Sequence, residues 1–199
     1  RRRRGEMLYN SAKLCFQHWQ SCASCHPDGR ADGLSWDLLN DGVGNAKQTK
    51  SQLYGQFTPP TMVTGIRKDM KTCNRAGLIH IQFVRRPEED ALCLDAYTES
   101  IAPVPSPRLR DGRLSAAAER GRKVYEKASC GLCHSGPYTA DCKAYDVGLG
   151  TGTEAKRPFD TPTLCEVWRT APYLYDGRSA TMMDVLTRDN PDDTHGHTQ

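Results

Sequence analysis

Apolar residues recur every three to four positions in three stretches, and each stretch predicts an α-helix. Following Gly5-Glu-Met-Leu-Tyr9, residues Leu8, Ala12, Cys15, Phe16 and Trp19 fall on one face. Between Pro87 and Ile101 the inward positions are Ala91, Leu94, Tyr97 and Ile101. Pro87 suits the first turn there, and Glu88, Glu89 and Asp90 lie beside the positive end of the helix dipole. From a cap at Ser115, a third apolar face runs through Leu114, Ala118, Gly121, Val124, Tyr125 and Ala128. Thr181 reads as the N-cap of a short helix that packs through Met182. No segment alternates convincingly with period two, so the predicted fold class is all-α with long polar loops.

Two of these helices begin an internal repeat. Gly5-Glu-Met-Leu-Tyr9 leads into Cys22-Ala-Ser-Cys25-His26, and Gly121-Arg-Lys-Val-Tyr125 leads into Cys130-Gly-Leu-Cys133-His134, with the two motifs 108 positions apart. Between the copies, Ala102-Pro-Val-Pro-Ser-Pro107 cannot continue a helix and favours an extended spacer. The expected organisation is an N-terminal domain over residues 1–101, a proline-rich linker over 102–113 and a C-terminal domain over 114–199. The second domain stops after His197-Thr-Gln199 without an expected last helix.

Cys-x-x-Cys-His is the attachment signature of c-type haem. Two thiols at that spacing reach both vinyl groups on one porphyrin edge, and the adjacent histidine is held under the iron as its proximal ligand. A redox Cys-x-x-Cys or half of a zinc site explains neither the histidine that follows each time nor the missing second cysteine pair. The motifs therefore imply two covalent haems, one on Cys22, Cys25 and His26, the other on Cys130, Cys133 and His134.

Composition agrees. Hydrophobic residues make up 37% of the 199 and the mean hydropathy is −0.67, low for a chain of 22.2 kDa. Two haems would supply apolar core that side chains do not. A net charge of +3, from 27 basic and 24 acidic residues, argues against a nucleic-acid partner. No apolar run is long enough for a transmembrane segment. Arg1 to Arg4 reads as a solvated tail or the stub of an export signal without its apolar region. Haem attachment of this kind takes place outside the cytoplasmic membrane, so the location implied is periplasmic or extracellular. Five of the nine cysteines lie outside the motifs, and Cys73–Cys93 and Cys142–Cys165 are candidate disulfides.

The second half then shows a specific pattern. Phe159-Asp-Thr-Pro-Thr-Leu-Cys-Glu-Val-Trp-Arg-Thr-Ala-Pro-Tyr-Leu-Tyr-Asp-Gly-Arg-Ser-Ala-Thr181 resembles the F-x-TPTL…TAPY-x-HDG stretch of bacterial diheme cytochrome c peroxidases and the related MauG enzymes. Tyr145-Asp-Val-Gly148 matches their segment after the second haem motif, so the likeness covers residues 121–190. The first half is similar more loosely, through Ser21–Pro27, Gly44-Asn45 and Thr58-Pro-Pro60. Asp32-Gly-Leu-Ser-Trp-Asp-Leu38 resembles a branch often joined to larger extracellular proteins. The resemblance implies two cytochrome c-like domains with haems facing across their interface, one relaying electrons and the other with a distal side that can be open to peroxide. Calcium between the domains occurs in such proteins. The acidic loop of Asp28, Asp32, Asp37 and Asp41 misses the EF-hand spacing, so calcium stays unassigned.

The departures are instructive. Gly42 stands where peroxidases of the family carry a distal histidine, and Val63-Thr-Gly-Ile-Arg67 lacks their inter-haem tryptophan. Tyr175 replaces the HDG histidine, and Asp189 falls at the distal-ligand position of the second haem. The remaining histidines supply the candidates. His80, in the apolar run Ala76–Phe83, is either a hydrogen-bonded core residue or the distal ligand or acid–base group of the first haem. His195, in Asp192-Asp-Thr-His-Gly196, is either a tail residue or the distal ligand of the second. His18 and His197 read as surface residues. Arg67 and Arg178 are candidate propionate partners, with solvated arginines as the alternative. Trp36 and Trp168 read as core. The leading function is a diheme electron-transfer cytochrome c, a module or subunit of something larger that works with a redox partner protein. The alternatives are a peroxidase reducing hydrogen peroxide, with His80 catalytic, or haems that are largely structural within an assembly.

Overall fold

A computed structural model describes residues 1–38 and 43–196 of the chain. The described residues form six helices: α1 (Arg2–Asn10), α2 (Cys22–Cys25), α3 (Met70–His80), α4 (Glu88–Glu99), α5 (Ala116–Lys127) and α6 (Met182–Leu186). Besides six short 3₁₀ turns there are four strands of two residues each, β1 (Ser35–Trp36), β2 (Lys47–Gln48), β3 (Ala144–Tyr145) and β4 (Phe159–Asp160). They pair as two antiparallel clips, Trp36 opposite Lys47 in the first and Tyr145 opposite Phe159 in the second. The chain is thus helix-rich, as the periodicity predicts. The clips are too short to leave an alternating pattern, and each closes the loop that follows one Cys-x-x-Cys-His.

The main core lies in the first half. Leu8, Tyr9 and Leu14 pack with Leu78, Ala91, Cys93 and Leu94. α1 lies so close to α4 that a Cβ on Gly5 would sit 1.9 Å from the Cys93 carbonyl oxygen, which only glycine permits. The Tyr9 and Tyr97 rings meet with centroids 4.9 Å apart. Two features differ from the sequence reading. Arg2 to Arg4 are not a tail but the first turn of α1, tied down by Arg1–Glu89 at 3.0 Å and Arg4–Asp90 at 2.5 Å. α1 also stops at Asn10 rather than running to Trp19. The Ser11 hydroxyl accepts from the Lys13 amide and starts a new 3₁₀ turn, and Gln17 and His18 adopt positive φ. Phe16 and Trp19 are therefore exposed.

α4 follows the sequence reading, with Pro87 at its N-cap and Ala91 and Leu94 buried. α5 is capped by Ser115 through the Ala118 amide, as expected. Its predicted face is only partly covered. Ala128 is buried and Tyr125 half-buried, while Leu114 and Val124 are exposed, because among the described residues no helix packs on α5 as α4 packs on α1. Neither candidate disulfide forms, since all nine cysteines are free thiols. Cys73 Sγ lies 3.6 Å from Met62 Sδ, whereas Cys93 is buried in the α1–α4 core.

The two halves share a charged seam. Arg30 pairs with Glu166, Lys47 with Glu154 at 3.0 Å and Lys50 with Asp160, and each of the three carboxylates is buried. The proline-rich stretch is non-helical, as predicted. It is also pinned, because the Ala102 carbonyl accepts from Arg30 and the Val104 amide donates to Glu166. Tyr54 and Phe57 of the first half sit against Tyr138 of the second, at 4.9 and 5.3 Å between centroids.

Candidate functional site

Two constellations repeat the same local construction. In the first, Ser21 and Ser24 form a capping box that starts α2 and sets Cys22 and Cys25 one turn apart. The His26 amide donates to the Cys22 carbonyl at 2.9 Å. The ring Nδ1 lies 3.0 Å from the Arg30 carbonyl. A carbonyl can only accept, so Nδ1 carries the proton and Nε2 keeps a free lone pair. Tyr9 Oη donates to the His26 carbonyl at 3.2 Å. In the second constellation the His134 amide donates to the Cys130 carbonyl at 3.0 Å, the ring Nδ1 lies 3.1 Å from the Pro162 carbonyl, and Tyr125 Oη donates to the His134 carbonyl. Histidines oriented this way through the second nitrogen are the usual form of an axial or metal ligand.

Burial favours uncharged forms at both places. Desolvation lowers the pKa of His26 against the opposing effect of the Arg30 carbonyl, and it lowers that of His134 as well. Neutral imidazole is the ligating form. Burial pushes the Cys22 thiol up to about 12.

Beside the first constellation opens a cavity of about 1600 Å³, its mouth included. Cys22, Cys25 and His26 line one side, and Cys73, Ala76 and Gly77 of α3 another. Trp36 and Arg67 also line it, the indole donating to Asp32 at 2.9 Å. His80 does not. It sits exposed on the last turn of α3, outside the cavity wall, where the chain turns and presents Ile81 and Gln82 instead. Gln82 Oε1 is buried there with no partner. Sequence reasoning missed Gln82 because nothing in the apolar run marks which residue follows the helix end inward. Gly42 and Asp41 lie outside the described residues, as does His197. His18 is exposed.

At the second constellation the structure brings a further histidine in. The His195 ring centre lies 6.3 Å from that of His134, with the planes at 57°. Two imidazoles that each place a nitrogen about 2 Å from one metal ion, on opposite sides, have ring centres roughly 6 Å apart. His195 Nδ1 is buried and unpartnered, and burial, then His134, keeps the ring pKa low. Asn190 holds the loop: its side-chain oxygen accepts from the His195 amide at 3.0 Å, and its side-chain nitrogen donates to the His195 carbonyl at 3.4 Å. Thr194 adds a bond to the Val147 carbonyl at 2.8 Å. Asp189 is engaged elsewhere, with Ser179 at 2.5 Å and Arg188 at 2.7 Å. Arg178 pairs with Asp176 and the Leu149 carbonyl, and Trp168 stacks under Arg169. Thr181 caps α6 with Asp184, and Met182 is half-buried. Asp32 and Asp37 accept from the amides of Leu34 and Gly44. Among the described residues no three His, Cys, Asp or Glu side chains converge as a metal cluster.

No helix among the described residues is long and apolar enough to cross a membrane. No family model matches the chain. The gamma subunit of hydrazine synthase from Kuenenia stuttgartiensis is 30% identical over 98% of this chain and 72% of its own length. A solved structure of Kuenenia stuttgartiensis hydrazine synthase under xenon pressure superposes with a TM-score of 0.88 at 27% identity, covering 100% of this chain and 81% of that one. Two further structures share the fold. A MauG-like protein associated with microbial copper homeostasis has a TM-score of 0.72 at 18% identity, over 93% of this chain and 73% of its own. The diheme peroxidase of Burkholderia thailandensis has 0.70 at 16%, over 92% and 69%. The chain therefore belongs to the family of the hydrazine synthase gamma subunit.

Proposed function

We propose that the chain is a diheme c-type cytochrome that passes electrons as one subunit of a larger, extracytoplasmic assembly. Residues 1–101 would hold one haem on Cys22, Cys25 and His26, and residues 114–199 the other on Cys130, Cys133 and His134, with 102–113 joining them. The residues fit the group: each motif pairs two free thiols with a neutral histidine whose Nδ1 is already held by a carbonyl. Bound haem supplies Fe(III)/Fe(II) cycling, tuned by axial ligands and burial. The protein's own residues hold and orient it. His26 and His134 present Nε2, Tyr9 and Tyr125 fix the two motif turns, and Asn190 steadies the His195 loop.

The observation that carries the reading is the 6.3 Å spacing of His134 and His195, which suits a bis-histidine site with no place for a substrate. Such a site relays electrons. A second reading is favoured by the first cavity, in which Lys50, Arg67 and Gln82 line the wall and His26 is the only histidine among the described residues there. That arrangement suits a haem whose distal side is open to a small oxidant such as peroxide. His80 is exposed and outside the wall, so it does not face that distal side. The association with other subunits is inferred from the relative named as a subunit of hydrazine synthase.

Electron paramagnetic resonance of the ferric protein tests the relay. His195→Ala is expected to convert one haem of two from low to high spin, about half the signal, while His80→Ala leaves the spectrum unchanged. An unchanged spectrum in the first variant overturns the assignment.

A further inference from the structure

Three buried side-chain atoms among the described residues have no hydrogen-bond partner: His195 Nδ1, Asp160 Oδ1 and Gln82 Oε1. A buried polar atom is costly to leave unpaired, so each of the three needs a reason. His195 belongs to the second centre, where its ring centre lies 6.3 Å from that of His134. Asp160 keeps Lys50 on its other oxygen. Gln82 has no comparable account. It is 3% exposed and lines the first cavity together with Cys22, Cys25 and His26.

The backbone fixes where this side chain stands. The Gln82 amide donates to the Gly77 carbonyl at 2.8 Å, which holds the residue on the α3 wall, and the Gln82 carbonyl accepts from the Phe16 amide at 2.8 Å. One residue earlier, the Ile81 carbonyl accepts from Gln20 Nε2 at 2.9 Å. The other carboxamides of the cavity wall are engaged. Gln48 donates to the Pro172 carbonyl at 2.5 Å, and Asn74 donates to Asp95 at 2.9 Å. Gln52 accepts from Tyr9 at 2.8 Å, and Asn45 accepts from Thr153 at 2.8 Å. Among the described wall residues, Gln82 alone keeps a carboxamide oxygen buried and unpaired.

The chemistry of that oxygen narrows what can meet it. An amide oxygen accepts and never donates. The proposed haem cannot satisfy it, because at neutral pH the polar groups of a haem are propionate carboxylates, which are acceptors too. Lys50 and Arg67, on the same wall, are the groups that suit carboxylates. Whatever meets Gln82 Oε1 must therefore bring an N–H or O–H of its own. The hydrogen-bonding groups of a distal pocket help decide what a haem binds. A fixed acceptor selects molecules that are still donors once they sit on the iron, because a molecule with no donor leaves the oxygen unpaired.

We infer that Gln82 selects the ligand of the first centre, its side-chain oxygen accepting a hydrogen bond from a small molecule that keeps an N–H or O–H when bound to that haem. The inference rests on the second reading above, in which the distal side of the first haem is open. It is tested on the haem-loaded ferric protein by titration at fixed pH with methylamine, which keeps N–H bonds on its ligating nitrogen, and with cyanide, which has none. Gln82→Leu is expected to weaken methylamine binding about tenfold and not to weaken cyanide binding. Gln82→Asn, one methylene shorter, is expected to lose methylamine affinity in the same way and serves if the leucine variant does not fold. Gln82→Glu, which keeps an acceptor oxygen at the same reach, is expected to restore it. The C–O stretch of the ferrous carbonyl complex is expected not to rise in Gln82→Leu. A rise means that the amide nitrogen had been donating to the ligand, and overturns the inference. Unchanged methylamine affinity in Gln82→Leu and Gln82→Asn means that water alone satisfies the oxygen, and a changed spin state of the ligand-free ferric protein means that the amide itself binds iron. Either result overturns the role of Gln82 and leaves the reading of an open haem to stand or fall on its own. A wild-type protein that binds neither methylamine nor cyanide overturns both.

Discussion

Glu166→Ala removes the carboxylate at the centre of the seam between the halves. Glu166 accepts from Arg30 Nε at 2.9 Å and Arg30 NH2 at 2.6 Å, and also from the Val104 amide and from Arg169 at 2.7 Å. Its side chain is 2% exposed and that of Arg30 10%. Deleting one partner of a buried pair costs about 3–5 kcal/mol, because a charge is left buried without its counter-ion. Arg30 keeps its bonds to the carbonyls of Asp28 and Ala102, which places the expected loss near the lower end, about 3 kcal/mol. For a domain of this size each kcal/mol moves Tm by about 2–4 °C, so calorimetry of the haem-loaded protein should show a fall of about 6–12 °C. The acid limb supplies a second readout. Burial alone would raise the Glu166 pKa, but the bonds from Arg30 and Val104 outweigh it and hold the carboxyl below its ordinary value. The stabilisation is therefore full above about pH 4.3 and is lost as pH falls through the depressed folded value. In Glu166→Ala this loss is absent. A fall of less than about 2 °C, with an unchanged acid limb, would refute the reasoning and make the pair equivalent to an exposed one.

Two further outcomes follow from close contacts. Gly5→Ala should push α1 off α4, since the new Cβ would overlap the Cys93 carbonyl, with a loss of about 1–3 kcal/mol in urea unfolding. Asn190→Ala should free the His195 loop and give a mixed low- and high-spin ferric spectrum; a wild-type spectrum would show that the loop is held by other contacts.

How much of this was legible in the sequence depends on the range of the interaction involved. The Ser115 and Thr181 caps and the inward stripe of α4 are local, and the structure places them as the pattern predicts. The N-terminal arginines were misread because their partners, Glu89 and Asp90, are more than eighty residues away. The end of α1 was misread because Ser11, Gln17 and His18 do not announce their backbone conformations. The histidine candidates diverge for a tertiary reason. His195 reaches His134 because buried Asn190 folds its loop back, whereas His80 lies past the point where α3 leaves the cavity wall. Spare cysteines in a chain implied to be exported suggested disulfides, but Cys93 is taken up by the α1–α4 core and Cys73 faces the cavity.

The central claim is that each Cys-x-x-Cys-His holds one haem through two thioethers. Denaturing mass spectrometry of the purified protein reads this directly, because only covalent haem survives unfolding. The account predicts a mass about 1.2 kDa above the bare polypeptide, falling by half when Cys130 and Cys133 are both replaced by alanine. A mass equal to that of the 22.2 kDa polypeptide alone would contradict it.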